Sequence, residues 1–380
     1  MSVPPLVPPP PPADLPPRPG RHSRGTFARN VSGRLGQIAS RLSRVSHGRA
    51  LTIGASLVTV IGAAAVTAGV AQLAIPIGLS QLEPTDVTTA IGTYSHHPVV
   101  ISLSAQPASY LGLYARGVPD SYAPIENVTR QTGVKPNITL YYSGWYERFQ
   151  SPFAALAQAN DAVPFIQMDP NGVSLAAIVA GVFDSYLEKF ATDVAAFGAR
   201  TGRGVIISFG HEMNGYWYHW GYKHSSPAVF VAAWRHVVTL FRNQGADDVT
   251  WLWTTNIIDA KGGIPDPAPW WPGRAYVTWI GIDGYYYRPT WTFASLFGPT
   301  IKAVRELTRT PVPILIAETG AAQAAGQPAK IADLADGVRA YGLLGFVWFD
   351  ANGVKDWRLH GTAAMAAFRE AGRQYGRLAS

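Results

Sequence analysis

The sequence predicts a (β/α)8 barrel, and three observations carry that expectation. Eight short apolar runs recur from about residue 110 onward at a mean spacing of about thirty residues, with amphipathic, helix-like stretches between several of them. The runs are almost continuously apolar, as in strands of a parallel sheet covered on both faces, and do not alternate as half-exposed strands do. No Gly-x-Gly-x-x-Gly turn follows the first run, which removes the main argument for a doubly wound open sheet.

In chain order, the first segments differ from the rest. Residues 1–20 hold ten of the thirty prolines, a composition that favours extended polyproline II over a packed core. Residues 21–50 mix arginine, serine and glycine. Together, 1–50 read as a disordered cytoplasmic tail, Pro-rich and then Arg-rich. Leu51 to Ile75 has no charged residue and ends at Pro76. At about 1.5 Å per helical residue it is long enough to cross a hydrocarbon core. With the arginines on its N-terminal side, it is expected to be a signal-anchor that leaves the C-terminal part outside the cytoplasm. The competing reading is a cleaved signal peptide, because Val66-Thr-Ala68 resembles a cleavage pattern and would give a secreted product. Residues 76–105 read as a linker, and 106–380 as the globular domain that the motifs below mark as catalytic.

Charge supports this division. The net charge of +7 comes from the first fifty residues, which hold eight of the 31 basic residues and one of the 24 acidic ones. The remaining 23 basic and 23 acidic residues balance, so the globular part lacks the basic surface of a nucleic-acid binder. With no cysteine, thiolate catalysis, disulfides and cysteine metal sites are excluded.

The expected strands are Leu111–Ala115, Ile138–Tyr142, Val163–Met168, Gly204–Phe209, Val249–Thr254, Val277–Ile282, Val312–Ala317 and Leu344–Phe349. The clearest helices are Leu175–Arg200, Pro227–Gln244, Phe293–Thr308 and Ala329–Tyr341. In such a barrel the residues just after each strand converge on one mouth, where active sites lie. The second strand then delivers Ser143, Gly144, Trp145 and Tyr146, the third Asp169, and the fourth His211, Glu212 and Asn214. The fifth delivers Thr255 and Asn256, the sixth Asp283, Gly284 and Tyr285, the seventh Glu318, and the eighth Asp350 and Asn352. A glutamate after one strand is ordinarily a cap or ion-pair residue. Two of them, Glu212 and Glu318, on the fourth and seventh strands among aromatics, fit a proton donor and a second carboxylate working on a sugar. His211-Glu212 also begins like the zinc motif H-E-x-x-H, but position 215 is glycine, so the second ligand is missing and no metal or cofactor is expected.

The segment His211-Glu-Met-Asn-Gly-Tyr-Trp-Tyr-His-Trp-Gly221 resembles the signature of glycoside hydrolase family 26, mannanase-like members of a clan of retaining (β/α)8 glycosidases. Further matches are Trp253-Thr-Thr-Asn256, Gly281-Ile-Asp-Gly-Tyr285, Ile316-Ala-Glu-Thr-Gly320, and Trp348-Phe349 with Asp356-Trp-Arg358. The resemblance covers about residues 110 to 360 and implies Glu212 as acid/base and Glu318 as nucleophile. It implies His211 as a brace, Tyr285 as the group holding Glu318, and Trp348 as the floor under the reacting sugar. Trp217 and Trp220 are expected to line the cleft and, with the charge of Glu318, to raise the Glu212 pKa. Tyr218 and His219 are expected to pack the loop. Trp145, Asn256 and Asp283 are further substrate-binding candidates, and Trp270, Trp271 and Trp291 are expected at outer subsites. Family mannanases commonly carry a histidine near the end of strand two; here that region reads Tyr142-Ser-Gly-Trp145. The implied substrate is a β-linked polysaccharide, β-1,4-mannan first, with mixed-linkage β-glucan or β-1,3-xylan as alternatives. A non-catalytic cell-surface carbohydrate-binding protein is the reading from another class.

Overall fold

The computed structural model describes residues 102–259 and 261–379. The expected tail, membrane span and all but the end of the linker lie outside the described residues. Among the described residues no helix is long and apolar enough to cross a membrane.

The eight expected strands are present: β1 (Tyr110–Ala115), β2 (Ile138–Gly144), β3 (Val163–Asp169), β4 (Val205–Phe209), β5 (Val249–Asn256), β6 (Trp279–Tyr286), β7 (Ile314–Ala321) and β8 (Gly345–Asp350). They form a closed barrel in sequence order, each parallel to its neighbours, and β1 closes it against β8 with Tyr110 opposite Gly345 and Ala115 opposite Asp350. Closure buries both faces of each strand, which is why the sequence shows unbroken apolar runs. Close packing inside the barrel fixes Gly281: a Cβ there would stand 2.5 Å from Thr254 Oγ1 and 3.0 Å from the Ala317 Cβ.

Six strands run past their expected ends: β2, β3 and β8 by one or two residues, and β5, β6 and β7 at the part of the mouth that carries the site. β5 continues to Asn256, β6 to Tyr286 and β7 to Ala321, because their polar and small terminal residues stay hydrogen-bonded in register while lining the mouth. Asn256 pairs with Asp283, and Asp283 with Glu318. β7 also carries one extra residue. Ile282 lies opposite Ile316, yet Asp283 lies opposite Glu318, so Ala317 is the bulged position immediately before Glu318. The β8 pairing, Ile316 with Phe346 and Thr319 with Trp348, shows the same insertion. A bulge of this kind re-aims the side chain that follows it.

The first helices are α1 (Ala123–Thr132) and α2 (Ser151–Ala159). The expected helix Leu175–Arg200 is two helices, α3 (Leu175–Val179) and α4 (Asp184–Thr201), parted where Gly181 takes a left-handed φ of 76°. After α5 (Pro227–Asn243), the expected Phe293–Thr308 also divides, into α6 (Phe293–Leu296) and α7 (Gly298–Thr308). Pro299 stands there in the first turn of α7, where it has no N–H to continue the ladder of α6. The series ends with α8 (Gln327–Ala340) and α9 (Gly361–Gln374).

Candidate active site

β4 ends at Phe209, and the chain then turns sharply. Gly210 and Glu212 both adopt left-handed backbone, with φ of 55° and 53°. For a glutamate this conformation costs roughly 1–2 kcal/mol. The turn is held by Gly210 N–H donating to the Met168 carbonyl and Glu212 N–H donating to that of Thr254, both 2.9 Å. Neighbouring strands therefore fix a strained residue at the mouth, a pattern typical of functional sites.

Each Glu212 oxygen accepts one N–H. Trp217 Nε1 donates to one at 2.7 Å and Asn256 Nδ2 to the other at 2.5 Å. Asn256 is itself pinned by buried Asn214, which accepts from its backbone N–H and donates to its carbonyl. The Trp217 indole lies over Gly215, where a Cβ would sit 2.3 Å from the ring. One face of Gly215 is thus reserved for the tryptophan that grips Glu212.

Glu318, set by the β7 bulge, accepts hydrogen bonds from two phenols. Tyr285 O–H donates to one oxygen and Tyr142 O–H to the other. Tyr285 was expected in this role. Tyr142 was not: its strand end stood out only for lacking a histidine, and the bond joins residues 176 positions apart. Burial, then the Glu318 charge, pushes both phenols well above their ordinary pKa, so both remain donors.

His211 is enclosed beside the pair. Its Nδ1 lies 2.8 Å from Asp169 Oδ1, and its Nε2 lies 3.1 Å from the Tyr218 hydroxyl. Burial alone would lower its pKa; the Asp169 carboxylate, with Glu212 and Glu318, overrides this and raises it. The bracing expected of His211 is present, and Tyr218 takes part in it beyond packing the loop.

Burial raises both catalytic candidates. For Glu318 the main cause is desolvation, then the charge of Glu212; His211, Tyr142 and Tyr285 oppose them, and the carboxyl is pushed up to about 7. Glu212 is raised by burial against His211, Asn256 and Trp217. The two carboxyls together therefore retain one proton near neutrality. The donor sets decide where it rests. Two phenols stabilise an anion better than an indole N–H and an amide N–H, so the charge settles on Glu318 and the proton on Glu212.

Asp283 lies between Asn256 and Glu318 in the pairing, fully buried, and neither carboxyl oxygen has a hydrogen-bond partner among the described residues. Burial, then Glu318 and Glu212, raises it well above the carboxylate range, which makes it a neutral acid at the floor of the site. It has no surface through which to touch a substrate, contrary to the sequence-based expectation.

Three tryptophans are also placed differently. Trp220 is sealed in the core, stacked on Tyr218 at 4.3 Å and donating to the His211 carbonyl, so it supports the loop and does not line the cleft. Trp348 is fully buried on the outer face of β8 against Phe368 of α9, and its neighbour Phe349 takes the mouth, stacked on Tyr114 at 4.6 Å and 6.1 Å from Tyr285. Alternation along a strand means that one position of error reverses the face. Trp145 is buried among Phe183, Tyr186 and Phe209. Of the outer candidates, Trp270 is buried, whereas Trp271 and Trp291 are half-exposed. Tyr287, absent from the expected set, packs on Trp357 and Trp291; burial, then the charges of Glu212 and Glu318, raises its pKa.

Comparison with known proteins agrees with this architecture. Residues 174–322 match the model of glycosyl hydrolase family 26. Over 272 residues the chain is 30% identical to Endoglucanase H of Acetivibrio thermocellus, a match spanning 67% of this chain and 29% of that protein. The chain thus spans under a third of that curated relative's length. Among solved structures, a family 26 β-mannanase from Bacteroides ovatus superposes with a TM-score of 0.54 at 16% identity, covering 71% of this chain and 90% of that one. A modular endo-β-1,4-mannanase from Cellulomonas fimi gives 0.54 at 16% identity, covering 74% and 76%. At this identity the structural likenesses show the fold.

Proposed function

The chain belongs to glycosyl hydrolase family 26, and on that footing we propose that it hydrolyses a β-linked polysaccharide with retention of configuration. One observation carries the reading. Two buried carboxyls, on the β4 turn and the β7 bulge, hold one proton between them, with the stronger anion-stabilising donors on Glu318. Glu318 attacks the anomeric carbon while Glu212 gives its proton to the departing glycosidic oxygen. Glu212, now ionised, takes a proton from water, whose oxygen displaces Glu318 and restores the starting pair. Retention by this route calls for carboxyls about 5–5.5 Å apart. Trp217, Tyr287 and Phe349 supply aromatic surface around the reacting sugar.

β-1,4-Mannan is our first substrate, in line with the mannanases that share the fold. A β-glucan is the second, favoured by the name of the relative at 30% identity, Endoglucanase H. Incubating the protein with β-1,4-mannan, mixed-linkage β-glucan and β-1,3-xylan, then sizing the products, tests both. Release from mannan supports the first and release from glucan alone the second. Binding without release from any polymer establishes a carbohydrate-binding protein instead. We further propose that residues 51–75 anchor the barrel outside the cytoplasm. The mass of the membrane-associated protein tests this, and loss of the first ~70 residues contradicts it.

A further inference from the structure

Tyr146 combines three properties that conflict unless its ring has a use. It is 59% exposed, the most exposed aromatic ring among the large hydrophobics of the barrel. It closes the β2 end in a reverse turn in which Glu147 N–H donates to the Gly144 carbonyl at 3.1 Å. As the third residue of that turn it takes a φ of 70°, a conformation that favours glycine and costs a side-chain-bearing residue roughly 1–2 kcal/mol. A bulky, exposed tyrosine there gains little from burial to offset the strain.

The surroundings hold the ring still. Glu147 Oε2 accepts from Gly144 N–H at 2.9 Å, and Tyr186 O–H donates to the Glu147 carbonyl at 3.1 Å, so the turn is fastened from both sides. Phe183 meets the Tyr146 ring nearly edge-on at 5.9 Å and Tyr186 meets it tilted at 5.7 Å. Val182, next to Phe183 in the chain, is 67% exposed. Immobilised aromatic surface with an open face is matched to the apolar C–H face of a pyranose ring, and immobilisation lowers the entropy cost of binding.

The patch lies a short length of chain from the site. Tyr146 lies four residues beyond Tyr142, which bonds Glu318. At about 3.3–3.6 Å per residue, the two Cα atoms are no more than roughly 14 Å apart. We propose that Tyr146, backed by Phe183, is a distal subsite that stacks one sugar unit of the polysaccharide chain running out of the catalytic mouth between the β2 and β3 loops. This rests on the glycoside-hydrolase reading and names a binding position for it.

The test uses Tyr146→Gly, which removes the ring and relieves the left-handed strain, so loss of folding does not obscure the result; Tyr146→Phe keeps the ring. Both are made in the full chain, with and without Glu318→Gln. Mobility of the Glu318→Gln proteins in gels cast with β-1,4-mannan or mixed-linkage β-glucan reads binding without catalysis. The expected result is retardation weakened five- to tenfold by Tyr146→Gly and retained by Tyr146→Phe. In the active background, Tyr146→Gly is expected to lower kcat/KM on polymer five- to tenfold more than on the shortest cleaved oligosaccharide. Equal retardation of Tyr146→Gly and its parent overturns the subsite, as does absence of retardation by either polymer. Retardation that depends on Tyr146 without hydrolysis by the active protein overturns the enzymatic reading and leaves the subsite standing.

Discussion

The hydroxyl of Tyr142, on the second strand, donates to the carboxylate of Glu318, on the seventh, across the mouth of the barrel. With Tyr285 on the other oxygen, it fixes both the direction and the charge of that group. Tyr142→Phe is expected to lower kcat by 10- to 100-fold, the scale for losing one charge-assisted hydrogen bond. It should also move the acidic limb of the pH profile upward, because a donor that lowers the Glu318 pKa is gone. An unshifted limb would show that Tyr142 only fills space.

Activity is expected to follow a bell in pH. The working form holds one proton on the pair, so activity rises as the first proton leaves and falls as the second leaves. Because the two carboxyls interact, the value of about 7 belongs to the second proton of the pair, the one that rests on Glu212, so the falling limb should lie near 7. Initial rates from pH 4 to 9 on a soluble substrate locate it.

The same shift governs stability. On folding, the pKa of the proton shared by Glu318 and Glu212 moves from an ordinary 4.5 to about 7, so the native state binds that proton more tightly than the unfolded chain does. Its favourable contribution is full below 4.5 and lost as pH rises through about 7. Glu318→Gln, which does not titrate, should therefore gain in Tm over the native protein between pH 5 and pH 8, by a stability difference on the order of 2–3 kcal/mol. A constant difference across that range would mean that folding does not raise the affinity of the carboxyl pair for its proton.

Trp348 and Phe349 are adjacent but face opposite ways, and substitution should separate their roles. Trp348→Ala empties a fully buried site and should cost about 3–5 kcal/mol of stability. Phe349→Ala should cost less in urea denaturation but raise KM several-fold, since its ring lies at the mouth. The reverse pattern would restore Trp348 as the floor of the site.

Much of this arrangement was legible in the sequence. Strand spacing and unbroken apolar runs gave the barrel, and its topology then brought Glu212 and Glu318 to one end. What escaped depended on one-residue geometry. The bulge at Ala317 has no composition signature, and it alters the register that decides where Glu318 points. Trp348 and Phe349 are both aromatic, so periodicity could not say which faces inward. Trp220 is as hydrophobic as Trp217, and only the fold separates the indole that reaches the His211 carbonyl from the one that reaches Glu212. Tyr142 was hidden for another reason: its partner comes from a distant strand, and a phenol replaces the residue type expected there.

The central claim is that Glu318 becomes covalently bonded to the sugar. A 2-deoxy-2-fluoro glycoside of the cleaved sugar with a reactive leaving group slows the second displacement and lets the glycosyl–enzyme accumulate. Peptide mass mapping should then find one sugar on the peptide bearing Glu318, absent in Glu318→Gln. A label on another carboxylate, or no label together with a product of inverted anomeric configuration, would contradict the account.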